Sequence, residues 1–413
     1  MERLSGIIRE QIKKPSPIRQ IMKMAARENI MAMGLDPDDV ISYGGGWVNH
    51  PAPPRLIEIY SEIINDPEAF HSTGGYSPTP GMPPMKEALC WLEATLAGQD
   101  IGPENVIVGQ SSTQTTHDLF VSIMDPGDTL LIPDPSYANY PGQLAFAVPG
   151  AKLARFPVFD ADAWEFAPDA DAIIESVKDA VSELGPKAVL FPAPDNPTSK
   201  VLPQEVVDGI ADITEDAGAF LIFDMAYRTQ MFVDPPAYYG WTPRERENII
   251  YLHSNSKWGR GLGRRLAWMV ASNDVIDAME RIQQCTILCP DTLHQMAMTS
   301  YLEESLDDGS LLNYVREVNE MYRTAAKVTL QAIDEHIGYP RTEPDGGLYT
   351  VMKVSTDADA FVPEVLKATG VLFIPGGGFG PALSDGVRIS YGPLVSDLER
   401  IEEGMERVGK HLR

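Results

Sequence analysis

Cysteine is scarce in this chain: Cys90, Cys285 and Cys289 are the only three in 413 residues. That number does not build a disulfide framework. Cys285 and Cys289 are spaced to share a helix face, but no histidine or cysteine partner completes a ligand set. No metal site is expected, and all three read as core cysteines. Long apolar runs are missing as well. None approaches the roughly 18 residues needed to cross a bilayer. Met1 to Arg27 mixes charge with apolar residues and lacks a signal-peptide core. The expectation is a cytoplasmic protein with no membrane partner. Basic residues are outnumbered, 33 against 59 acidic, for a formal net charge of −26. A surface of that sign repels phosphate backbones, which argues against nucleic-acid binding. No internal repeat or low-complexity tract stands out.

What is present is enough apolar sequence, 44%, for a large core, and a length that suggests two or three domains. From about residue 100 to 275, short apolar runs alternate with helical patterns. The runs are Val106 to Val108, Leu130 to Ile132, Ala188 to Phe191, Phe220 to Phe223, Ile249 to Leu252 and Ala267 to Ala271. They are continuous, as expected for strands covered on both faces. Helical stretches such as Pro203 to Ala217 supply crossovers, so the expected class is α/β with a doubly wound, mostly parallel sheet. After residue 300 the pattern changes. A long helix over Leu311 to His336 leads to strands at Leu348 to Met352 and Val387 to Tyr391, then a helix from about Ser396. That reads as a smaller α+β domain. The first 40 residues hold one or two helices broken by Pro15 and Pro17. The expected division is an arm and part of the small domain over 1–50, a large α/β domain over 51–300 and a small domain over 301–413.

Ligands of such sheets collect beyond the carboxyl ends of the strands. Past Ile249 to Leu252 comes Ser254-Asn255-Ser256-Lys257, then glycine-rich sequence to Arg265. A lysine amine condenses with an aldehyde to form a Schiff base, and arginine suits bidentate recognition of phosphate. One cofactor carries both groups, pyridoxal 5'-phosphate (PLP). The alternative is a surface loop with a solvated lysine. Asp224 closes the run Phe220 to Phe223. It is either a partner for a protonated ring nitrogen or a helix cap. Tyr227 follows within reach of the same ring. Asn196-Pro197-Thr198 is a turn whose amide could meet the ring's phenolic oxygen. Ser111-Ser112-Thr113 opens a helix over Thr115 to Ile123, either capping it or presenting its N-terminus to phosphate. Tyr137 stands where an aromatic stacks on a planar cofactor, or in the core. Arg388, in Val387-Arg388-Ile389-Ser390, faces either solvent or a cleft, where it would be a fork for a carboxylate.

The order and spacing of these groups resemble fold-type I PLP enzymes of the class I/II aminotransferase family over nearly the whole length. Ile41 to Gly46 resembles the glycine loop beside the substrate carboxylate, with Gly45 at its centre. Tyr76, in Tyr76-Ser77-Pro78-Thr79-Pro80-Gly81, resembles the tyrosine that reaches the neighbouring subunit's cofactor phosphate. Ser111 to Thr113 resemble the phosphate cup, with Asp125-Pro126-Gly127-Asp128 closing the helix that follows. Tyr137 resembles the ring-stacking aromatic, and Asn196 the asparagine on the phenolic oxygen. Asp224 and Tyr227 match an Asp-x-x-Tyr pair. Ser254, Lys257 and Arg265 match the phosphate serine, the Schiff-base lysine and the phosphate arginine, and Arg388 the substrate-carboxylate arginine. Two positions depart from the pattern: Ser111 and Ser199 stand where the family usually has glycine. Arg260 and Arg264 add charge near Lys257; they read either as groups that meet a distal substrate carboxylate or, the favoured reading, as solvated surface residues.

The resemblance implies the PLP-dependent transferase fold and a homodimer with shared active sites. It implies transfer of an amino group from an L-amino acid to a 2-oxo acid, by family habit 2-oxoglutarate, with Lys257, Asp224 and Tyr227 as the catalytic set. Another PLP reaction on the same fold, such as β-elimination, decarboxylation or cyclisation, would use the same core residues. A PLP-sensing regulator would need a DNA-binding domain that about 40 residues before the glycine loop do not supply. Ile41 to Gly46 look like the branch handling aromatic, branched or aminoadipate-like substrates.

Overall fold

A computed structural model describes residues 3–13 and 17–413. Seven strands form one sheet: β1 (Val106–Gly109), β2 (Thr129–Asp134), β3 (Lys152–Pro157), β4 (Ala188–Pro192), β5 (Phe220–Asp224), β6 (Ile249–Ser254) and β7 (Ala267–Val270). Their spatial order is β1-β7-β6-β5-β4-β2-β3. β7 runs antiparallel to both neighbours, and every other pair is parallel. All six apolar runs of the sequence are strands. β3 is the one that sequence reading missed. It lies at the sheet edge, and Lys152 and Arg155 interrupt its apolar residues.

Successive residues of each strand feed opposite faces. Val106, Val108, Phe191, Phe223 and Tyr251 enter one core, together with the helices Pro54–Asn65, Pro83–Ala97 and Gln204–Asp216. Ile107, Leu190, Ile222, Ile250 and Met269 enter the other, beneath the helices Ser112–Ile123 and Asn273–Thr286. Two covered faces explain why these strands read as continuous apolar runs. In Gln204–Asp216, Val206, Val207, Ile210, Ala211 and Thr214 are buried, which is the spacing of one helical face.

A separate core joins both ends of the chain. Ile21, Ile30, Ile41, Tyr43 and Val48 pack with residues from Val318 to Val408. This part carries an antiparallel sheet of β8 (Tyr349–Lys353), β9 (Ile374–Pro375) and β10 (Gly386–Ser390), in the order β8-β10-β9. Ile41–Ser42 pairs in parallel with Val371–Leu372. The long helix runs Ser310–Ala332 and ends in a wider turn over Ile333–Ile337. The last helix is Leu398–Leu412.

Two expectations need correction. The start of the chain has three short helices rather than one or two: Gly6–Gln11, Pro17–Met24 and Arg27–Ala32. Pro17 opens the second instead of breaking it, because a proline at the first helical position lacks only an N–H that would go unpaired there. Pro15 lies outside the described residues. None of the cysteines is fully buried, although Cys90 packs against the main core. Cys285 is exposed, and Cys90 and Cys289 are partly buried, all as free thiols. Cys285 misses the buried face of Asn273–Thr286, which Val275, Ile276, Met279 and Gln283 form. Among the described residues no helix is long and apolar enough to cross a membrane.

Candidate active site

The carboxyl ends of β1, β2, β4, β5 and β6 lie at one edge of the sheet. The reversed strand β7 begins there, so Arg265, just before it, arrives at the same edge. A cavity of about 650 Å³ opens at this edge. Its lining includes Ser112, Thr113, Tyr137, Asn196 and Asp224, and, from the next segments, Tyr227, Ser254, Lys257 and Arg265. Nine of the thirteen residues singled out in the sequence thus meet in one place. The other four are Ser111, Gly45, Arg388 and Tyr76.

The loop after β6 is wound tightly. Asn255 O accepts from the backbone N–H groups of Gly259 and Gly261, each at 3.3 Å. Arg260 and Arg265 take left-handed backbone angles, φ 48° and 56°. This winding aims Lys257 inward. Its Nζ donates to Gly46 O at 2.5 Å and lies 5.2 Å from the centre of the Tyr227 ring. Burial lowers the pKa of the amine to about 8, and the positive charges of Arg388 and Arg265 push the same way against Asp224.

Asp224 is buried at the end of β5. Its Oδ2 accepts from the Tyr140 hydroxyl at 2.8 Å and its Oδ1 from the Ala226 N–H at 3.2 Å. Burial raises its pKa above the ordinary carboxylate range, opposed by those hydrogen bonds. The Tyr227 hydroxyl pairs with that of Tyr349 at 2.7 Å. The Tyr137 hydroxyl accepts from Asn139 Nδ2 at 2.8 Å. Ser254 Oγ donates to Ser256 Oγ at 2.8 Å and accepts from the Ser256 N–H. Arg265 donates to Leu262 O at 2.6 Å.

Arg388 is only 2% exposed. Its guanidinium donates to Asn196 Oδ1 and to Gly44 O, both at 3.0 Å, while Nε is buried without a partner. Tyr349 and Phe379 flank it, with ring centres 4.3 and 4.9 Å away. In the β8–β10 register Val351 faces Arg388, so Tyr349 is its diagonal neighbour on the same face. Gly45 lies between the two carbonyl contacts of its segment. A Cβ there would meet the Trp47 ring, so any larger residue requires that side chain to shift. Ser111 caps the helix Ser112–Ile123, accepting from the Gln114 N–H at 3.2 Å. Its φ of −172° is ordinary extended backbone, so serine replaces glycine there without strain. Ser199 does take a left-handed φ of 55°, and its hydroxyl accepts from the Tyr349 N–H at 3.0 Å. Tyr76 is 86% exposed and lies apart from the cavity of its own chain.

Arg260 and Arg264 are not solvated surface residues. Arg260 is half-buried and donates to Asn49 Oδ1 at 3.0 Å and His50 O at 2.8 Å. Arg264 donates to Arg260 O at 3.0 Å and lies over the Tyr60 ring. The left-handed turn at Arg260 folds both back onto the protein. Sequence reading also missed Tyr140 and Tyr349. Tyr140 stands three residues past Tyr137, a spacing that would have flagged it. Nothing local marks Tyr349, which tertiary packing alone brings to Tyr227 and Arg388.

The model of the family described as "Aminotransferase class I and II" matches residues 48–408. The chain belongs to that family. It is 27% identical over 402 residues to an aspartate aminotransferase of Pyrococcus horikoshii, covering 97% of this chain and 95% of the relative. It is also 27% identical over 402 residues to an LL-diaminopimelate aminotransferase of Halothermothrix orenii, covering 95% of each. The fold matches that of a Thermus thermophilus aspartate aminotransferase solved with maleate, with a TM-score of 0.84, 24% identity, and coverage of 99% of this chain and 100% of that one. The protein is therefore a PLP-dependent transaminase of the fold-type I architecture, acting on amino acids and 2-oxo acids.

The groups around this cavity suit that cofactor. Hydroxyls of Ser112, Thr113 and Ser254, with Arg265 and a helix N-terminus, are the donors a phosphate needs. Asp224 is a buried carboxylate with no cation within salt-bridge distance among the described residues, and a protonated ring nitrogen would compensate it. No group of three or more His, Cys, Asp or Glu side chains among the described residues is placed to hold a metal ion.

Proposed function

We propose that this aminotransferase moves the amino group of an L-amino acid to 2-oxoglutarate, with Lys257, Asp224 and Tyr227 as its catalytic set. The observation that carries the reading is the convergence of a partly buried lysine amine of lowered pKa and a buried carboxylate on one cavity, beside an arginine fork. PLP, when bound, supplies an aldehyde carbon for the donor's nitrogen and a protonated ring that draws electrons from the donor's Cα. Lys257 would hold that aldehyde. Once released, its amine takes the proton from Cα, and a pKa of about 8 leaves part of it neutral near neutral pH, as a base requires. Asp224 would keep the ring nitrogen protonated, held in place by Tyr140. Tyr227 and Asn196 would meet the phenolic oxygen, and Tyr137 would cover the ring. Ser111, Ser112, Thr113, Ser254 and Arg265 would hold the phosphate. Arg388 would bind the donor's α-carboxylate beside Gly45 and Asn196.

The same reading makes the working unit a cytoplasmic homodimer, with Tyr76 of each subunit completing the other's phosphate site. Its 86% exposure supports this, since the side chain is free to reach a second subunit. Within each subunit we assign 1–50 to the arm and part of the small domain, 51–300 to the large domain and 301–413 to the small one. Names of relatives make aspartate the first donor to try. Lys257→Ala should lower turnover by at least about 10⁴-fold while the protein stays folded. Full transaminase activity in that variant would sink the assignment. Absorbance changes on adding single amino acids without a 2-oxo acid would rank the donors.

A further inference from the structure

Lys257 is held from a side that the chemistry above does not use. His50 is fully buried between the glycine segment, the lysine loop and the helix Ser310–Ala332. Its Nε2 lies 2.9 Å from Trp258 O and its Nδ1 2.9 Å from the Tyr322 hydroxyl. A carbonyl oxygen only accepts, so Nε2 carries the proton and Nδ1 accepts from Tyr322. Burial, aided by Arg260, lowers the pKa of the imidazole to about 4 and keeps this neutral form. Tyr314 adds its hydroxyl, 3.0 Å from the same Trp258 O and 2.9 Å from Pro51 O. Arg260 closes the clamp from the lysine loop onto Asn49 and His50 O. The carbonyl one residue beyond Lys257 is thus held by the His50 N–H, with the Tyr314 hydroxyl shared between it and Pro51 O. The segment whose Gly46 carbonyl meets Nζ is tied to the same clamp.

We propose that His50 is a positioning residue for Lys257. By locking Trp258 O to the helix Ser310–Ala332, it keeps the lysine amine in its partly buried position against Gly46 O. There the amine feels the charges of Arg388, Arg265 and Asp224. Releasing the clamp lets the amine relax toward solvent and regain the proton affinity of an ordinary lysine. The effect on turnover rests on Lys257 being the cofactor lysine, but the effect on the amine does not.

The test therefore uses the cofactor-free protein. Lys257 is acetylated with acetic anhydride across a pH series and its modification is followed by peptide mass spectrometry. In the wild type, reactivity should reach its midpoint near pH 8. His50→Ala should raise that midpoint by about one unit, a tenfold gain in proton affinity. His50→Gln should restore it, since an amide can donate to Trp258 O and accept from Tyr322. Tyr322→Phe keeps the ring in the core and removes only the hydroxyl, so it should give a smaller rise in the same direction. An unchanged midpoint in folded His50→Ala overturns the proposal. If that variant does not fold, an unchanged midpoint in Tyr322→Phe overturns it instead. If Lys257→Ala kept full transaminase activity while the midpoint still shifted, the catalytic reading would fail and the clamp would stand.

Discussion

Two buried carboxylates near the turn after β5 have opposite surroundings. Glu93, on the helix Pro83–Ala97, is fully buried and fully met. Arg228 grips it with both terminal nitrogens, at 2.5 and 2.6 Å, and the Trp268 indole donates to it at 2.8 Å. Asp224, four residues before Arg228, receives one hydroxyl and one backbone N–H and, among the described residues, no cation within salt-bridge distance. A buried ion pair with both carboxylate oxygens hydrogen-bonded holds structure in place. A buried carboxylate lacking a countercharge is costly, and it is retained where a ligand brings the charge. The turn Met225–Arg228 therefore has one side for chemistry and one for anchoring, and Tyr227 and Arg228 are neighbours with different work.

The sharpest way to break this contrast is Asp224→Ala. It should lower kcat by about 10³-fold or more, while the cofactor-free protein melts no lower than the wild type, because a penalised charge is gone. A variant that keeps near-normal turnover would remove Asp224 from the chemistry. Glu93→Gln should do the reverse. It leaves Arg228 buried without its counterion, costing about 3–5 kcal/mol in urea unfolding, while kcat per folded enzyme stays within a few-fold. A loss of kcat like that of Asp224→Ala would erase the distinction. Adding Arg228→Met to Glu93→Gln should recover about 2 kcal/mol, since the stranded charge is removed. No recovery would mean the pair contributes packing rather than charge balance.

The smallest effect is a pH dependence. Burial raises the Asp224 pKa in the folded state above its unfolded value of about 3.9. The folded protein then binds the proton more tightly than the unfolded chain does. Cofactor-free stability contributed by this group is unimpaired below the unfolded pKa and is lost as pH rises through the folded one. Asp224→Asn should remove that loss. Its stability advantage should grow from pH 4 upward and vanish at lower pH. An advantage independent of pH would point to packing instead of charge.

Much of this could be read along the chain. The six continuous runs became strands because a sheet covered on both faces leaves no polar alternation, and period is a local property. Lys257, Asp224, Asn196 and Ser254 lie just past strand ends, so the topology of a parallel sheet was enough to gather them. β3 escaped because an edge strand carries charge on its open side. Arg388 was ambiguous from Val387-Arg388-Ile389 alone, since alternation tells which side of a strand a residue takes but not what covers that side.

The sequence by itself determined the sheet, the run of motifs beyond its strands and the kind of cofactor they suit, because spacing and residue chemistry are written locally. Only the tertiary structure decided that Tyr140 steadies Asp224, that Tyr349 and Phe379 enclose Arg388, that Glu93 neutralises Arg228 and that His50 fixes the carbonyl after Lys257. Glu93 and Arg228 are 135 positions apart, His50 and Trp258 208, and Tyr140 and Asp224 84. A buried polar group needs a partner of the right kind, but the chain's local order does not say which distant segment will bring it.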